Sequence, residues 1–383
     1  MFGCWNNGRC SPEEENGMSK VFHSLLNDEE ASDNQFYIVA GDNYYPEKNK
    51  EKDKEKNKDK NKEKNKDKDK DKNKDNQPKV FNEGNFESGF NCLSSLSEKT
   101  DEGVILLMGN HDLQYEEDMK KKYGNGCYIL SKQQKYLEQK EKIHLTRDKG
   151  HNFKRYGDTL FIFLDTNLYD IKADTKFSKC EKKYHNPGAD EDEGEVEADL
   201  IQSLVEKQDE EILSQCEEAK AEAEAIRHIF LIGHHPIYGG KMKGDKPKYQ
   251  GFNGYGVRLV DNICNKFKEA KSYYLCADIH QYQEGTITIG EEEKEEDKLH
   301  IKQYIVGTGG AKLDDSLIGS HMSQDLPLTL HIEDYKKDYG YLRVKREGDN
   351  YVFHFISATL KVGGAKTRSK TRSKTRSKTR SRT

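Results

Sequence analysis

Four short turns in this chain of 383 residues carry side chains of the kinds that hold metal ions in proteins. Each turn follows an apolar run and contains a glycine or alanine, then Asp, Asn or His. The four are Gly41-Asp42-Asn43-Tyr44-Tyr45, Gly109-Asn110-His111-Asp112, Gly233-His234-His235-Pro236 and Ala277-Asp278-Ile279-His280. Taken singly, each could be an ordinary turn, a helix cap or a buried histidine. Together, their oxygen and imidazole donors indicate a site for hard or borderline metal ions.

Asp42 is the candidate for a carboxylate that bridges two ions. A carboxylate can bind one ion through each oxygen, and it then holds the two ions roughly 3.5–4 Å apart. Two-metal hydrolysis of phosphate esters uses that separation. A carboxylate at Asp42 would therefore suit a two-metal site.

The four turns must be brought together by the elements that precede them. Runs rich in Ile, Leu, Val, Phe and Tyr predict buried strands at 36–40, 103–108, 159–164, 228–232, 272–276 and 302–306. Helical spacing predicts helices at 18–26, 86–97, 196–226 and 257–270. This alternation predicts an α/β core, followed by an antiparallel hairpin of 339–345 and 351–357 that turns at Gly348-Asp349. Because ligands collect at the carboxyl ends of strands, we expect the four turns at one rim.

The ordered blocks "GDNYY", "GNHD", "GHHP" and "DIH" resemble those of the calcineurin-like metallophosphoesterases. The first two are most similar to the purple acid phosphatase branch of the small animal type. "FLDTN" and "YIVGTGG" also fit, so the resemblance runs from residue 1 to about 360 outside two biased segments. It implies two mixed β-sheets packed as a four-layer sandwich flanked by helices. It also implies hydrolysis of phosphate monoesters by a metal-activated hydroxide.

The resemblance further implies the metals and their ligands. The metals would be two ions, iron paired with iron, zinc or manganese. Asp42 would bridge them, with Tyr45 and His280 on the first ion and Asn110 and His234 on the second. The substrate would be a phosphorylated small molecule or a phosphoprotein.

Two more histidines have expected roles, and three positions depart from the family. By the same resemblance, His111 would be catalytic, facing the leaving group, and His235 is a candidate for substrate binding. Cys4 stands where the family has its first aspartate, and Asp278 stands where it has a histidine. The purple branch carries a substrate-facing histidine shortly after the block that corresponds to "GHHP". This chain has no histidine in the few residues beyond Pro236.

Two interpretations of these departures stay open. Cysteine thiolate and aspartate both bind metals, so Cys4 and Asp278 could complete an altered site, with zinc or iron favoured beside the cysteine. Alternatively, the site has decayed, and the fold serves as a binding or structural module that its basic tail could attach to nucleic acid.

Composition divides the chain into one domain and two appendages. Residues 47–76 carry 14 Lys against 10 Asp and Glu without an apolar side chain, and the KTRS-repeat tail at 361–383 is strongly basic. Both are expected to be disordered, which leaves 1–46 and 77–360 as a single domain. Without residues 47–76 and the repeats the body has 41 basic and 59 acidic residues, so it is not expected to bind nucleic acid. The tail alone has the charge for that partner.

Several observations bear on the compartment. The eight cysteines form no Cys-x-x-Cys pair, which favours reduced thiols over a disulfide framework or a zinc knuckle. The first ten residues, MFGCWNNGRC, lack the pattern of a secretion signal, and no apolar run approaches the roughly 20 residues of a membrane span. We therefore expect an intracellular, cytoplasmic protein without a membrane partner, and the basic tail leaves nuclear or virion association open.

Overall fold

The computed structural model describes residues 1–11, 13–28, 30, 35–48, 79–146, 152–170, 175–185, 198–222, 225–290 and 298–358. The predicted tail at 361–383 lies outside these residues, and so does the predicted insert at 47–76 apart from its first two. Those two, Glu47 and Lys48, pair in antiparallel register with Val80 and Lys79. Disorder of both segments, and nucleic-acid binding by the tail, stay predictions.

Eighteen strands and seven α-helices occur in the described part of the chain. The helices are α1 (Gly17–Leu26), α2 (Glu83–Ser97), α3 (Glu117–Tyr123), α4 (Tyr128–Leu137), α5 (Thr175–His185), α6 (Ala198–Ala221) and α7 (Gly254–Lys266). The strands are β1 (Tyr37–Ala40), β2 (Glu47–Lys48), β3 (Lys79–Val80), β4 (Val104–Leu107), β5 (Ile143–Leu145), β6 (Phe153–Tyr156), β7 (Thr159–Phe163), β8 (His228–Ile232), β9 (Tyr238–Lys243), β10 (Lys246–Gly251), β11 (Lys271–Cys276), β12 (Tyr282–Ile289), β13 (Leu299–Val306), β14 (Asp315–Ser316), β15 (Gly319–Met322), β16 (Leu328–Lys336), β17 (Gly340–Glu347) and β18 (Asn350–Ser357). A 3₁₀ turn, Thr166–Tyr169, follows β7.

The first sheet is built around β1. Strands β1, β4 and β5 are parallel, in that order. The first residues of the chain extend the layer, because the Phe2 N–H donates to the Ile38 carbonyl at 3.1 Å and the Ala40 N–H to the Phe2 carbonyl at 2.8 Å. The Leu342 N–H donates to the Met1 carbonyl at 2.9 Å, which attaches the antiparallel hairpin β17–β18 to the same layer. The hairpin turns at Gly348-Asp349, as predicted.

The second sheet has eight strands in the order β15-β16-β12-β13-β11-β8-β7-β6. Its centre is parallel, from β13 through β11 and β8 to β7, and its two edges are antiparallel. Strands β10, β9 and β14 form a separate three-stranded sheet.

Alternation of side chains along the strands produces the four layers. In β8, Ile229 and Leu231 pack with the apolar residues of α6 and α7, whereas Phe230 and Ile232 pack between the two sheets. In β1, Val39 packs with α1 and α2, whereas Ile38 faces the second sheet. Strands covered on both faces are apolar throughout, which explains why their sequences read as continuous runs. The predicted class, two mixed sheets packed as a sandwich and flanked by helices, is confirmed.

The prediction of reduced thiols is wrong for four of the eight cysteines. Cys10 is bonded to Cys92, and Cys127 to Cys180. The partners are 82 and 53 residues apart in sequence, so a search for close Cys-x-x-Cys spacing could not find them. Among the described residues, no helix is both long enough and apolar enough to cross a bilayer.

Candidate metal centre

The four turns meet where the carboxyl ends of β1, β4, β8 and β11 come together. A fifth segment reaches the same place, because Cys4 follows the three residues that pair beside β1. The Cys4 N–H donates to the Gly41 carbonyl at 3.0 Å, and the Ala277 N–H donates to the His234 carbonyl at 2.9 Å. The rim predicted from the sequence is therefore a physical cluster of turns.

Unusual backbone geometry marks the same cluster. Among the described residues, three that are not glycine have positive φ: Cys4 at 55°, Asp42 at 53° and Asp278 at 47°. Left-handed backbone is unfavourable for residues with a Cβ and persists only where the surroundings impose it. All three residues are predicted ligand positions, so the fold maintains this conformation where the side chains must converge.

Two glycines allow the turns to approach each other. A Cβ on Gly109 would lie 2.3 Å from both the backbone nitrogen and Oδ1 of Asp42, and 2.8 Å from Cε1 of His234. A Cβ on Gly41 would lie 2.6 Å from Nδ1 of His234. Contacts this short cannot be made, so the small residue that opens each turn is a condition for the cluster.

Cys4, Tyr45 and His280 form a first donor group beside Oδ2 of Asp42. The Tyr45 hydroxyl donates to that oxygen at 2.7 Å and lies 3.2 Å from Nε2 of His280. The Cys4 thiol points at the same oxygen from 3.9 Å. One ligand atom from each of Cys4, Asp42 and His280 falls within 4.8 Å of the other two.

Asn110, His234 and Asp278 form a second donor group beside Oδ1 of Asp42. Nε2 of His234 lies 3.3 Å from this oxygen and 3.2 Å from Oδ1 of Asn110. The same nitrogen is 3.8 Å from Oδ1 of Asp278. Ligand atoms of His234, His235 and Asp278 all lie within 4.8 Å of one another.

These spacings fit metal coordination. Around an ion with bonds of about 2.0–2.3 Å in tetrahedral geometry, neighbouring donor atoms lie roughly 3.3–3.7 Å apart. The contacts of His234 with Asp42, Asn110 and Asp278, at 3.2–3.8 Å, are close to that range. The two oxygens of Asp42 face different donor groups, as a bridging carboxylate requires.

The charges inside the cluster depend on one another. Burial opposes ionisation of Asp42, but the His234 and His111 rings hold its pKa well below the usual range. Burial opposes protonation of His234, whereas Asp42 and Asp278 raise its pKa to about 9. Burial and then the same two carboxylates raise the pKa of the Cys4 thiol well above its usual range. A bound cation would have to displace the protons on His234 and Cys4, so metal binding should release protons.

A buried network behind the cluster fixes the first two turns relative to each other. Asp112 accepts hydrogen bonds from the backbone N–H groups of Asn43 and Gly109, at 2.9 and 2.8 Å. The Trp5 indole N–H donates to Oδ1 of Asn43 at 3.0 Å. The third residue of "GDNYY" and the last of "GNHD" are therefore supports that orient the turns, not ligands.

His111 lies beside the first donor group. Its backbone N–H donates to Oδ1 of Asp42 at 3.0 Å, and its ring packs on the Tyr45 ring with centroids 4.8 Å apart. Burial lowers the pKa of its ring. This places the predicted catalytic histidine at the edge of the cluster, against Tyr45.

In the stretch just beyond Pro236, Lys241 lies near the turn that carries His280. Lys241 pairs with Asp314, with Nζ 2.6 Å from Oδ2. Asp314 in turn accepts the backbone N–H of His280 at 3.1 Å and donates its own to the His280 carbonyl at 2.7 Å. Where the purple branch has its substrate-facing histidine, this chain therefore has an ion pair, and the acidic partner, Asp314, holds the turn that carries His280.

Sequence reasoning missed three supporting residues. Thr166 accepts the backbone N–H groups of His234 and His235, Gln250 donates to Asp278, and Asp314 holds His280. Thr166 lies in the "FLDTN" block that was noticed without a role, so the signal was present. Gln250 lies on β10, and no local pattern there pointed to the site.

Comparisons with known proteins give weak likenesses. The sequence matches no protein-family model and no curated protein. One similar solved structure is GAP50, the anchor in the inner membrane complex of Plasmodium, at 12% identity over 95% of this chain and 84% of that chain, with a TM-score of 0.46. Another is purple acid phosphatase PPD1 from yellow lupin (Lupinus luteus) seeds, at 12% identity over 93% of this chain and 50% of that chain, with a TM-score of 0.47. Likenesses at this level say nothing about activity, substrate or partners.

Proposed function

We propose that this chain is a metallophosphoesterase that hydrolyses phosphate monoesters at a centre of two metal ions. One observation carries the proposal: the two oxygens of the buried Asp42 face two separate donor groups, Oδ2 toward Tyr45 and Cys4 and Oδ1 toward His234. A carboxylate that serves two ions is the central feature of two-metal phosphate chemistry. A single structural histidine–aspartate pair would not require two further donors, Tyr45 and Cys4, on the opposite oxygen.

The residues divide into metal ligands and groups that handle the substrate. Cys4, Tyr45 and His280 would hold one ion and Asn110, His234 and Asp278 the other, with Asp42 shared. When bound, the ions lower the pKa of water and neutralise charge on the phosphoryl oxygens. His111, whose ring packs on that of Tyr45 at the edge of the cluster, would donate a hydrogen bond to the leaving-group oxygen.

The two donor groups favour different metals. A thiolate is a soft ligand, so the group that contains Cys4 should select zinc or iron over manganese or magnesium. The second group offers imidazole, carboxylate and amide donors, which suit iron, zinc or manganese. The substrate would be a phosphorylated small molecule or a phosphoprotein, and the departures at Cys4 and Asp278 would alter the metals while keeping the reaction class.

Replacement of the shared ligand tests the proposal. Asp42→Asn should reduce the metal content and lower turnover of a chromogenic phosphomonoester by at least about a hundredfold, because metal ions supply several kcal/mol of transition-state stabilisation. Asn tolerates the left-handed backbone at this position, and its carbonyl oxygen can still accept the His111 N–H. The fold should therefore survive, and circular dichroism would check it.

A matched control is Asp245→Asn in the exposed turn between β9 and β10, which should keep both metal and activity. Undiminished turnover in Asp42→Asn would rule out the two-metal site. Metal binding without any hydrolysis in the unmutated protein would support the competing function, a binding module on a decayed phosphoesterase fold. The ion pair of Lys241 with Asp314, in place of a substrate-facing histidine, is the observation that favours this alternative.

We also propose that the chain folds in an oxidising compartment. Disulfides form and persist in such compartments and are rare in the cytosol, where thiols are kept reduced. The bonds Cys10–Cys92 and Cys127–Cys180 both join segments that are distant in sequence and that pack with the apolar residues of α1, α2 and α4. This location is an alternative to the cytoplasmic one predicted from the cysteine spacing, the first ten residues and the lack of a long apolar run.

A further inference from the structure

His235 has an internal hydrogen-bond partner that decides which of its ring nitrogens carries the proton. The Thr166 hydroxyl oxygen accepts the backbone N–H groups of His234 at 3.0 Å and of His235 at 2.9 Å. A hydroxyl has two acceptor positions and one hydrogen, so both acceptor positions are taken. The third contact of this oxygen is Nδ1 of His235 at 3.1 Å. The hydroxyl hydrogen must therefore be donated to Nδ1, and the proton of the neutral imidazole is on Nε2.

Among the described residues, the resulting Nε2–H group has no hydrogen-bond acceptor. The His235 side chain is 4% exposed, and Nε2 is buried without a hydrogen-bond partner among the described residues. Its nearest carboxylate oxygen, on Asp170, is 3.8 Å away, which is too far for a hydrogen bond. An unsatisfied buried donor costs about 1–3 kcal/mol, so this group needs an explanation such as an acceptor that binds there.

The surroundings of the ring suggest which acceptor it awaits. A ring nitrogen of His235 lies within 4.8 Å of ligand atoms of His234 and Asp278. A metal ion cannot be the partner, because coordination needs a lone pair and Nε2 carries the hydrogen. An acceptor that enters the cluster with the substrate fits better, and phosphate oxygens are strong acceptors.

We propose that His235 donates its Nε2–H to a phosphoryl oxygen of the bound substrate, as a phosphate-binding residue and not as a metal ligand. This inference rests on the proposed function, since it assumes that a phosphate enters the cluster. It supplies the substrate-facing imidazole that the stretch beyond Pro236 lacks. Thr166 is then a positioning residue that fixes the tautomer and ring orientation of His235.

Two substitutions separate the two ring nitrogens. His235→Asn places an acceptor near the position of Nδ1 and removes the donor at Nε2, whereas His235→Gln places an N–H near Nε2 and removes the acceptor for Thr166. Affinity of the zinc-loaded protein for inorganic phosphate would be measured by calorimetry, together with zinc content and melting temperature. We expect His235→Asn to weaken phosphate binding about tenfold to a hundredfold, the usual loss for a hydrogen bond to a charged group. His235→Gln should stay within a few-fold of the unmutated protein, and both should keep their zinc.

Each other outcome overturns the inference. Equal phosphate affinity in all three proteins would mean that His235 does not contact phosphate, and equal weakening in both variants would make its role structural. Loss of zinc in His235→Asn would make the residue a metal ligand. If the unmutated protein bound neither zinc nor phosphate, the proposed function would fail as well, so the two failures are distinguishable.

Nitrogen NMR of the unmutated protein, labelled at histidine, gives a second test that needs no variant. It should report His235 as the Nε2–H tautomer, with a shift of the Nε2 signal when phosphate is added to the zinc-loaded protein. The opposite tautomer, or an Nε2 signal that phosphate leaves unchanged, would also overturn the inference.

Discussion

Cys4 is the one sulfur donor among the predicted ligands, and the others offer oxygen or nitrogen atoms. It is fully buried, its backbone is held in a left-handed conformation, and its thiol points at the shared carboxylate. A buried thiol beside two carboxylates resists ionisation, and the pKa of Cys4 is raised accordingly. Such a thiol becomes a thiolate only if a cation arrives, so metal binding and ionisation of Cys4 should occur together.

This coupling can be observed directly with cobalt. The protein loaded with Co²⁺ should show a thiolate-to-cobalt charge-transfer band, and Cys4→Ser should abolish the band and weaken zinc binding. We expect the loss in zinc affinity to exceed the roughly tenfold to hundredfold that removal of an outer partner costs. Cys264→Ala, on the buried face of α7 and outside the cluster, is the matched control and should keep the band. A band that persists in Cys4→Ser would show that the thiol is not a ligand.

At the level of single residues, the sequence indicated the donors better than their supports. All the predicted ligand positions lie in the cluster, because the strands that precede them end at one rim. The role of each donor as a metal ligand stays a prediction. Thr166 and Gln250 were missed because their roles depend on contacts between turns and on a hairpin distant in sequence. The raised pKa of the Cys4 thiol could not be anticipated either, since it arises from burial and neighbouring charge.

At the level of elements, the turn after β4 shows how backbone space controls the site. Gly109 lies against Asp42 so closely that a single added carbon would meet both the backbone and the ligand atom. The neighbouring turns cannot relax independently, because Asp112 bonds them together. A change at Gly109 should therefore be transmitted to Asp42 and His234.

Gly109→Ala should destabilise the protein by about 1–3 kcal/mol, as overpacking does, and should also lower metal affinity because Asp42 is displaced. Gly254→Ala at the start of α7 is the matched control: the nearest atom to its added Cβ is 3.8 Å away, and alanine favours a helix. Denaturant unfolding without metal, together with metal content, would measure both effects. Normal metal binding by Gly109→Ala would contradict the close-approach explanation.

The sequence predicted the elements that are buried on both faces. The six predicted strands correspond to β1, β4, β7, β8, β11 and β13 within a few residues, and the four predicted helices to α1, α2, α6 and α7. The missed strands, such as β9, β10 and β16, have polar or mixed sequences, because one face of each is exposed. Helices α3, α4 and α5 were missed because they are short or rich in lysine.

At the scale of the whole molecule, the two disulfides have different relations to the site. Cys10 belongs to the loop that follows Cys4, and in that loop the Asn6 carbonyl accepts the Tyr45 N–H at 3.2 Å. The Cys10–Cys92 bond ties this loop to α2. The Cys127–Cys180 bond ties the start of α4 to α5, and Gln133 of α4 donates a hydrogen bond to Asp112 in the turn after β4. The first bond therefore anchors a loop that itself contains a predicted metal ligand, Cys4, whereas α4 and α5 contain none of the predicted ligands.

This difference gives a prediction with an internal control. Each bond closes a long loop in the unfolded chain, so replacing either pair by serine should cost about 2–4 kcal/mol of unfolding free energy. The Cys10→Ser/Cys92→Ser protein should in addition bind zinc more weakly, because the loop that carries Cys4 and contacts Tyr45 loses its anchor. The Cys127→Ser/Cys180→Ser protein should bind zinc normally once folded. Denaturant unfolding and zinc titration would measure the two effects.

Peptide mapping without reductant, on protein made in an oxidising compartment, should recover both cross-linked pairs. Free thiols at all eight cysteines would contradict the proposed compartment.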